Sequence, residues 1–232
     1  MMGSDALEAI AKEAVDWRRQ IHQHPELLFD LPLTSALVAE KLRTFGCDEV
    51  ATGIAKSGVV GVVRGRLGAG PTIALRADMD ALPMAEQTNL PYASRVSNMM
   101  HACGHDGHTA MLLGAAKHLA ATRDFAGTVV LIFQPAEEGG AGARVMIDEG
   151  MLERFGIDEV YGMHNEPGRS IGSFATRPGP IMAGGDRFMI TLNGRGGHAA
   201  SPHETRDSVL ACAHLVIAAQ SIASRHPDPF DP

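Results

Sequence analysis

A short segment of the chain concentrates side chains that bind transition metals. Residues 101–108 (HACGHDGH) contain three histidines, one cysteine and one aspartate. Cysteine thiolate and imidazole are borderline-soft ligands that suit zinc, manganese, nickel or cobalt. A single glycine separates Cys103 from His105, so both side chains can reach one site from an extended loop. Because burying so many titratable groups without a metal ion or hydrogen-bond partners would be costly, the segment predicts a metal site, in which His101 and His108 stay unassigned.

Two adjacent carboxylates form a second candidate element. Glu137 and Glu138 lie in the segment FQPAEEG, residues 133–139, directly after an apolar stretch. One carboxylate can bind a metal ion, and the other can accept a proton from water and pass it to a leaving amine. Adjacent acids are also common in exposed loops, so it is their combination with the first segment that favours a catalytic interpretation.

Three further segments each contribute one candidate. His164 lies in GMHN, and taken alone it would more often be a buried structural histidine. Asp80 lies in RADMDALP, where it can either orient His105 through its carboxylate or simply cap a loop. His198 lies in the glycine-rich segment GRGGHAASP, which suggests close approach to a ligand but is a weak signal by itself.

The elements that must position these residues alternate between strands and helices. Period and breaker residues predict helices over 5–24, 34–45, 108–121 and 144–150, and strands over 58–64, 72–77, 128–133 and 159–163. This alternation predicts an α/β fold with a mixed, largely parallel twisted sheet flanked by helices. Asp80, Glu137 and His164 each follow a predicted strand, at the end where open α/β sheets bind ligands.

The C-terminal part of the sequence predicts a second, smaller domain. Residues 168–185 are rich in glycine and proline, and we place the boundary near Gly184, with a catalytic domain over 1–184 and an incomplete α+β domain over 185–232. A strand over Asp186 to Asn193 and a helix over Thr205 to Ser224 are predicted there. One strand and one helix cannot close a core alone, so this domain is expected to be incomplete or to depend on a partner.

Composition excludes several classes of function. The net charge is −7 and no basic stripe stands out, which argues against nucleic acid as a partner. No apolar run approaches the roughly eighteen residues of a membrane span, and the charged first twenty residues do not read as a signal peptide. Three scattered cysteines suit a reducing compartment, so we expect a cytoplasmic protein without membrane contact.

The motifs together resemble a known family. HACGHDGH, FQPAEEG, RADMDALP, GMHN and GRGGHAASPH are similar to the hippurate hydrolase and N-acyl-amino-acid amidohydrolase branch of the aminoacylase-type dinuclear metallopeptidases. The resemblance covers essentially the whole chain. It implies hydrolysis of the amide bond of small N-acyl amino acids, such as hippurate, to a carboxylic acid and a free amino acid.

The resemblance also implies a cofactor and its ligands. Two divalent transition-metal ions (zinc, manganese, nickel or cobalt) are expected, with Cys103 bridging them. His105 and His164 would bind one ion, and Glu138 would bind the other.

The remaining roles follow from the same resemblance. Glu137 would be the general base and later the acid, and His198 would stabilise the oxyanion from a lid domain that commonly forms a homodimer. The fold implied is an α/β metallopeptidase domain interrupted by this smaller α+β lid.

One departure from the family pattern carries an expectation of its own. The family supplies a further metal-binding histidine from a C-terminal segment, whereas this sequence stops at Pro232 inside the expected lid, and His226 does not replace that histidine. We therefore expect the 232-residue chain alone to have one weakened metal site and little or no activity. The alternatives are a non-catalytic metal-binding fragment or a related dipeptidase or deacetylase, although a cysteine ligand in place of an acid favours the acyl-amino-acid branch.

Overall fold

The computed structural model describes residues 4–182 and 188–225. The chain forms two compact units, Met1–Gly168 and Arg169–Pro232, each of which is considered by itself below. The boundary predicted near Gly184 lies outside the described residues. Within the described ranges, no helix is both long and apolar enough to cross a lipid bilayer.

The first unit alternates helices and strands, as the sequence pattern predicts. Its elements are α1 (Ser4–Gln23), α2 (Pro32–Phe45), β1 (Glu49–Ile54), β2 (Gly58–Arg64), β3 (Thr72–Asp78), α3 (His105–Thr122), β4 (Thr128–Gln134), α4 (Gly142–Asp148), α5 (Met151–Phe155) and β5 (Glu159–Gly162). The sequence pattern predicts neither β1 nor α5. The segment of β1, EVATGI, mixes polar residues with a glycine and is buried at only two positions, so its period is weak.

The strands form one mixed sheet in the order β1-β2-β4-β3-β5. β3 pairs in parallel with both β4 and β5, whereas β2 pairs antiparallel with β1 and β4. The predicted α/β class with a mixed sheet is therefore confirmed. The antiparallel hairpin of β1 and β2 is an addition at one edge.

Apolar side chains cover both faces of the sheet, which explains why β2 and β4 read as continuous apolar runs. On one face, Val59 and Phe133 pack with residues of α1, α2 and α3, including Trp17, Leu42 and Leu113. On the other face, Val60 and Ile132 pack with Met146 of α4 and Met151 of α5. Alternate residues of one strand thus point into two separate cores.

The parallel part of the sheet brings three loops to one edge. β3, β4 and β5 run in the same direction, with Asp78 opposite Gln134 and Arg76 opposite Gly162. Their carboxyl ends therefore lie side by side, and the segments that follow them start from neighbouring points. This register positions the candidate residues after each strand.

The second unit contains a short 3₁₀ helix (Pro202–Glu204) and α6 (Ser208–Arg225). Asp207 caps α6, because its Oδ1 accepts hydrogen bonds from the amides of Val209 and Leu210 at 2.9 and 3.0 Å. The strand predicted over Asp186 to Asn193 falls partly outside the described residues, and over 188–193 it is wrong. A strand needs a neighbour with which to exchange hydrogen bonds, and none of the described residues pairs with 188–193.

Candidate metal centre

The turn into α3 places two potential ligands on one side of the sheet edge. Gly104 precedes the helix with a φ of +94°, a left-handed conformation that glycine adopts without steric cost. His105, the first residue of the helix, is fully buried, whereas Cys103 just before the turn is half-buried. The sharp turn lets both side chains point toward the ends of the parallel strands.

Cys103 and His164 meet across this edge. Cys103 Sγ lies 3.4 Å from His164 Nε2, although 61 positions separate the two residues in sequence. With His105 they form a group whose potential ligand atoms all lie within 4.8 Å of one another. His164 follows β5, Cys103 precedes α3, and the sheet register brings them together.

The main chain of Asp80 orients His105. His105 Nδ1 lies 2.8 Å from the Asp80 carbonyl oxygen, to which it donates its proton, whereas the Asp80 carboxylate oxygen is 3.6 Å away. The sequence leaves two roles open for the Asp80 carboxylate, orienting His105 or capping a loop. The carboxylate already accepts hydrogen bonds from the amides of Glu137 and Glu138 at 2.9 and 3.1 Å, so it holds the carboxylate pair in place.

Two buried atoms beside these residues have no hydrogen bond, and no ion pair shorter than 3.6 Å, among the described residues. They are His105 Nε2 and Glu138 Oε1, which lie 3.8 Å apart. With its Nδ1 proton donated to Asp80, His105 presents a lone pair at Nε2, and Glu138 presents a carboxylate oxygen. Unsatisfied buried acceptors are costly, and a cation between them would satisfy both. The residues present therefore fit a divalent transition metal.

The two adjacent glutamates differ in exposure. The side chain of Glu137 is 44% exposed and that of Glu138 is 19% exposed, while Glu137 Oε2 lies 4.0 Å from His105 Nε2. Glu138 therefore faces the buried acceptors, and Glu137 stands at the open side of the same centre. A carboxylate in that position can exchange a proton with a molecule that enters from solvent.

The electrostatics of the centre favour a cation. Burial, together with the nearby Glu138, raises the pKa of the Cys103 thiol to about 12. Burial also raises the pKa of Glu138, with a further contribution from Glu137. Burial lowers the pKa of His105, but contact with Asp80 and the charges of other carboxylates outweigh it and raise the value overall. A bound cation reverses this balance by stabilising thiolate and carboxylate and by competing with the imidazole proton.

A second cluster of buried side chains also meets the distances of a metal site, but its carboxylate is already paired. It comprises Asp78, His105 and His108. Asp78 lies 2.8 Å from Arg76 Nη1 and 2.6 Å from His108 Nδ1. Burial opposes ionisation of Asp78, yet the His108 hydrogen bond and the Arg76 charge lower its pKa to about 2. Because an arginine already supplies the positive charge, this cluster is a hydrogen-bonded support.

His101 belongs to another buried cluster. Its ring centre lies 6.3 Å from that of His22, whose Nδ1 is 2.8 Å from Asp106 Oδ2. Burial lowers the pKa of His101 to about 4, so it is neutral near pH 7. Neither nitrogen of His101 belongs to a group of possible metal ligands among the described residues.

His198 lies in the second unit. It is exposed, and its Nδ1 accepts a hydrogen bond from the Ala200 amide at 3.1 Å. Its expected role at the oxyanion stays a prediction. His226 lies outside the described residues.

The sequence does not predict the hydrogen-bonded support of His108 by Asp78, Arg76 and Asn165. The sequence carries a partial signal for His108 itself, because His105 and His108 are three residues apart and so share one face of α3. The contacts of His108 with Asp78 and Asn165 connect that face to β3 and to the loop after β5, and no local sequence pattern predicts them.

Replacing Gly104 with alanine is expected to weaken metal binding. A Cβ at this position would overlap the side-chain oxygen of Asn165, and the left-handed backbone alone costs alanine about 1–2 kcal/mol. Metal titration and urea unfolding of the variant measure the two effects. Gly46→Ala is the matched control, because Gly46 has a φ of +82° but open space around its Cβ position. Equal metal affinity in the two variants would show that the Gly104 turn does not shape the centre.

Comparison with known proteins agrees with a metal-dependent hydrolase scaffold. A family model described as peptidase family M20/M25/M40 matches residues 74–229. The chain is 51% identical to a hippurate hydrolase from Campylobacter jejuni over 212 residues, which cover 91% of this chain and 55% of that protein. It is 45% identical to an N-acetyl-L-cysteine deacetylase from Bacillus subtilis over 225 residues, which cover 97% of this chain and 53% of that protein.

A solved structure shows the same architecture. It is a dinuclear metal binding peptidase of the M20 family from Bacillus subtilis, 43% identical, with a TM-score of 0.71 over 75% of this chain and 48% of that one. The chain spans about half the length of the curated relatives it matches.

Proposed function

This chain belongs to the peptidase family M20/M25/M40, and from that premise we propose that it carries the metal centre of an amidohydrolase that cleaves N-acyl amino acids. The reaction adds water across the amide bond and releases a carboxylic acid and a free amino acid. One observation carries the proposal: two buried acceptors, on His105 and Glu138, have no hydrogen-bond partner in the described part of the chain, and they adjoin the Cys103–His164 pair and a half-exposed carboxylate.

Four residues would hold two divalent ions in this proposal. Cys103 Sγ lies 3.4 Å from His164 Nε2, and Glu138 helps to raise the pKa of the same thiol, so this sulfur would be the ligand that the two ions share. His105 and His164 would hold one ion, and Glu138 would hold the other. Bound ions of this kind act as Lewis acids on the amide carbonyl and lower the pKa of water.

Glu137 performs the proton transfers. Its carboxylate accepts a proton as the water oxygen bonds to the acyl carbon, and it returns that proton to the nitrogen as the C–N bond breaks. The Asp80 carboxylate accepts a hydrogen bond from the Glu137 amide, and this contact holds Glu137 at the open side of the centre. His198, which lies in the second unit, is kept as the candidate for stabilising the oxyanion.

The substrate class follows from the relatives and the chemistry together. A hippurate hydrolase and an N-acetyl-L-cysteine deacetylase, both similar over most of this chain, differ in acyl group and in amino acid but share an N-acyl amino acid substrate. We propose a hippurate-like substrate, a homodimer through the second unit, and a cytoplasmic location. The free thiols of all three cysteines, one of them a proposed ligand, support a reducing compartment.

Release of free amino acid tests the proposal. The protein that carries this chain is loaded with zinc, manganese, cobalt or nickel and given N-benzoylglycine, N-acetylcysteine, and dipeptides with a free amino group. We expect hydrolysis of the N-acylated compounds and its loss on chelation. Faster cleavage of the dipeptides would instead assign the site to a dipeptidase, and metal binding without any cleavage would leave a metal-binding module.

A further inference from the structure

Asn165 makes three contacts that together fix the position of its neighbour His164. The Asn165 carbonyl oxygen lies 2.7 Å from His164 Nδ1 and accepts its proton, so Nε2 remains free to face Cys103. The Asn165 amide lies 3.0 Å from His108 Nε2. The Asn165 side chain rests against Gly104, leaving no space for a Cβ there.

The hydrogen bond to the Asn165 amide determines the tautomer of His108. A backbone N–H can only donate, so His108 Nε2 must accept and its proton must sit on Nδ1. That proton is donated to Asp78 Oδ1 at 2.6 Å. Both ring nitrogens are therefore engaged, and His108 is only 3% exposed.

Asp78 is itself held in a single orientation. Arg76 Nη1 lies 2.8 Å from its other carboxylate oxygen, and the Thr109 hydroxyl donates to its carbonyl at 3.0 Å. The result is a chain of contacts from the end of β3, through α3, to the loop after β5. It ends at the one proposed ligand that lies in an exposed loop.

We propose that His108 is a positioning residue that sets His164 for metal binding through the Asn165 main chain. This inference rests on the proposed function, since it assumes that His164 binds metal. His164 follows the exposed edge strand β5, and its ring packs edge-on against the ring of His108, with 4.5 Å between the centroids, whereas His105 is fully buried. The Asp78–His108–Asn165 connection supplies to His164 the constraint that burial supplies to His105.

Cobalt titration of His108 variants tests the inference. Cobalt bound to a thiolate absorbs in the near ultraviolet, so the signal reports the centre that contains Cys103 without any activity assay. His108→Leu removes both hydrogen bonds and should weaken cobalt binding by about 10- to 100-fold, the usual effect of losing a residue that orients a metal ligand. His118→Leu, on the same helix, is the matched control and should bind cobalt as the wild type does.

A double-variant cycle separates positioning from general loss of structure. If His108 acts through His164, then His108→Leu should change affinity less than twofold when His164→Ala is already present. An equal loss of affinity in both backgrounds would overturn the inference. Far-ultraviolet circular dichroism and thermal unfolding of every variant accompany the titrations.

Two conservative variants keep the test decisive if His108→Leu fails to fold. His108→Gln places an amide oxygen near the position of His108 Nε2, where it can accept the hydrogen bond from the Asn165 amide. This variant should retain most of the cobalt affinity. The asparagine of His108→Asn is too short to reach the Asn165 amide, so this variant should lose cobalt affinity. Equal cobalt affinities of His108→Gln and His108→Asn would overturn the inference. If the wild type shows no cobalt signal that depends on Cys103, the proposed metal centre itself is wrong, which is a separate outcome.

Discussion

Replacing Glu137 with glutamine is expected to reduce kcat/KM for N-acyl amino acid hydrolysis by at least about 10²- to 10⁴-fold, the usual contribution of a general base, while metal content stays unchanged. Glutamine has nearly the same size, so the loop is preserved. The Asp80 carboxylate contacts the main-chain amide at this position and is indifferent to the side chain. The amide side chain cannot accept a proton, so water activation and protonation of the leaving amine both fail.

The neighbouring position supplies the control for that experiment. Glu138→Gln replaces a charged oxygen that is buried and lacks a hydrogen-bond partner among the described residues, so it should lose metal and activity together. Metal content by atomic emission and rate by amino acid release are measured on the same preparations. A Glu137→Gln variant that hydrolyses at the wild-type rate, or a Glu138→Gln variant that keeps all its metal, would show that the two roles are assigned incorrectly.

Replacing Cys103 with alanine is expected to remove the whole metal centre. Its sulfur lies 3.4 Å from His164 Nε2, and in the proposal the two ions share it, so one substitution would remove a ligand from both halves of the centre. Loss of a residue that merely orients a ligand costs about 10- to 100-fold in affinity, and loss of a shared ligand should exceed about 100-fold. Equilibrium dialysis with zinc or cobalt gives the affinity and the number of ions bound.

A second cysteine makes that experiment specific. Cys212 is exposed on α6 in the second unit, so Cys212→Ala tests for any general effect of removing a thiol. We expect this variant to bind metal as the wild type does. If Cys103→Ala retained two ions with unchanged affinity, the thiol would not be a bridging ligand and the centre would need another one.

Where core packing dictates local structure, the sequence predicted the elements well. The strand predicted over 58–64 agrees with β2 at both ends, and the strand over 128–133 ends one residue before β4 does. Both strands are buried on two faces, so each appears in the sequence as a continuous apolar run. The sequence does not predict β1, because its two buried residues, Ala51 and Ile54, are three positions apart and so do not show the alternation of a half-buried strand.

The helix that carries His105 shows where local reasoning stops. Its predicted start at 108 is three residues late, because the polar residues 105–107 do not look like the beginning of an apolar helix. Gly104, in a left-handed conformation, starts the helix earlier, and His105 is buried by contacts with other segments. The structure does place Cys103 and His105 of this segment in one group of possible metal ligands, whereas the direction of each side chain was not predictable.

By itself, the sequence determined the kinds of candidate ligand, the placement of Glu138 and His164 after successive strands, and the glycine between Cys103 and His105. The tertiary structure alone decided which atoms stay unpartnered. Asp80 meets the amides of Glu137 and Glu138 from 57 and 58 positions away, and His108 reaches Asn165 across 57. Such pairings depend on the parallel register of β3, β4 and β5, because hydrogen bonds extend only about 3 Å and only the folded sheet brings residues that far apart in sequence within that distance.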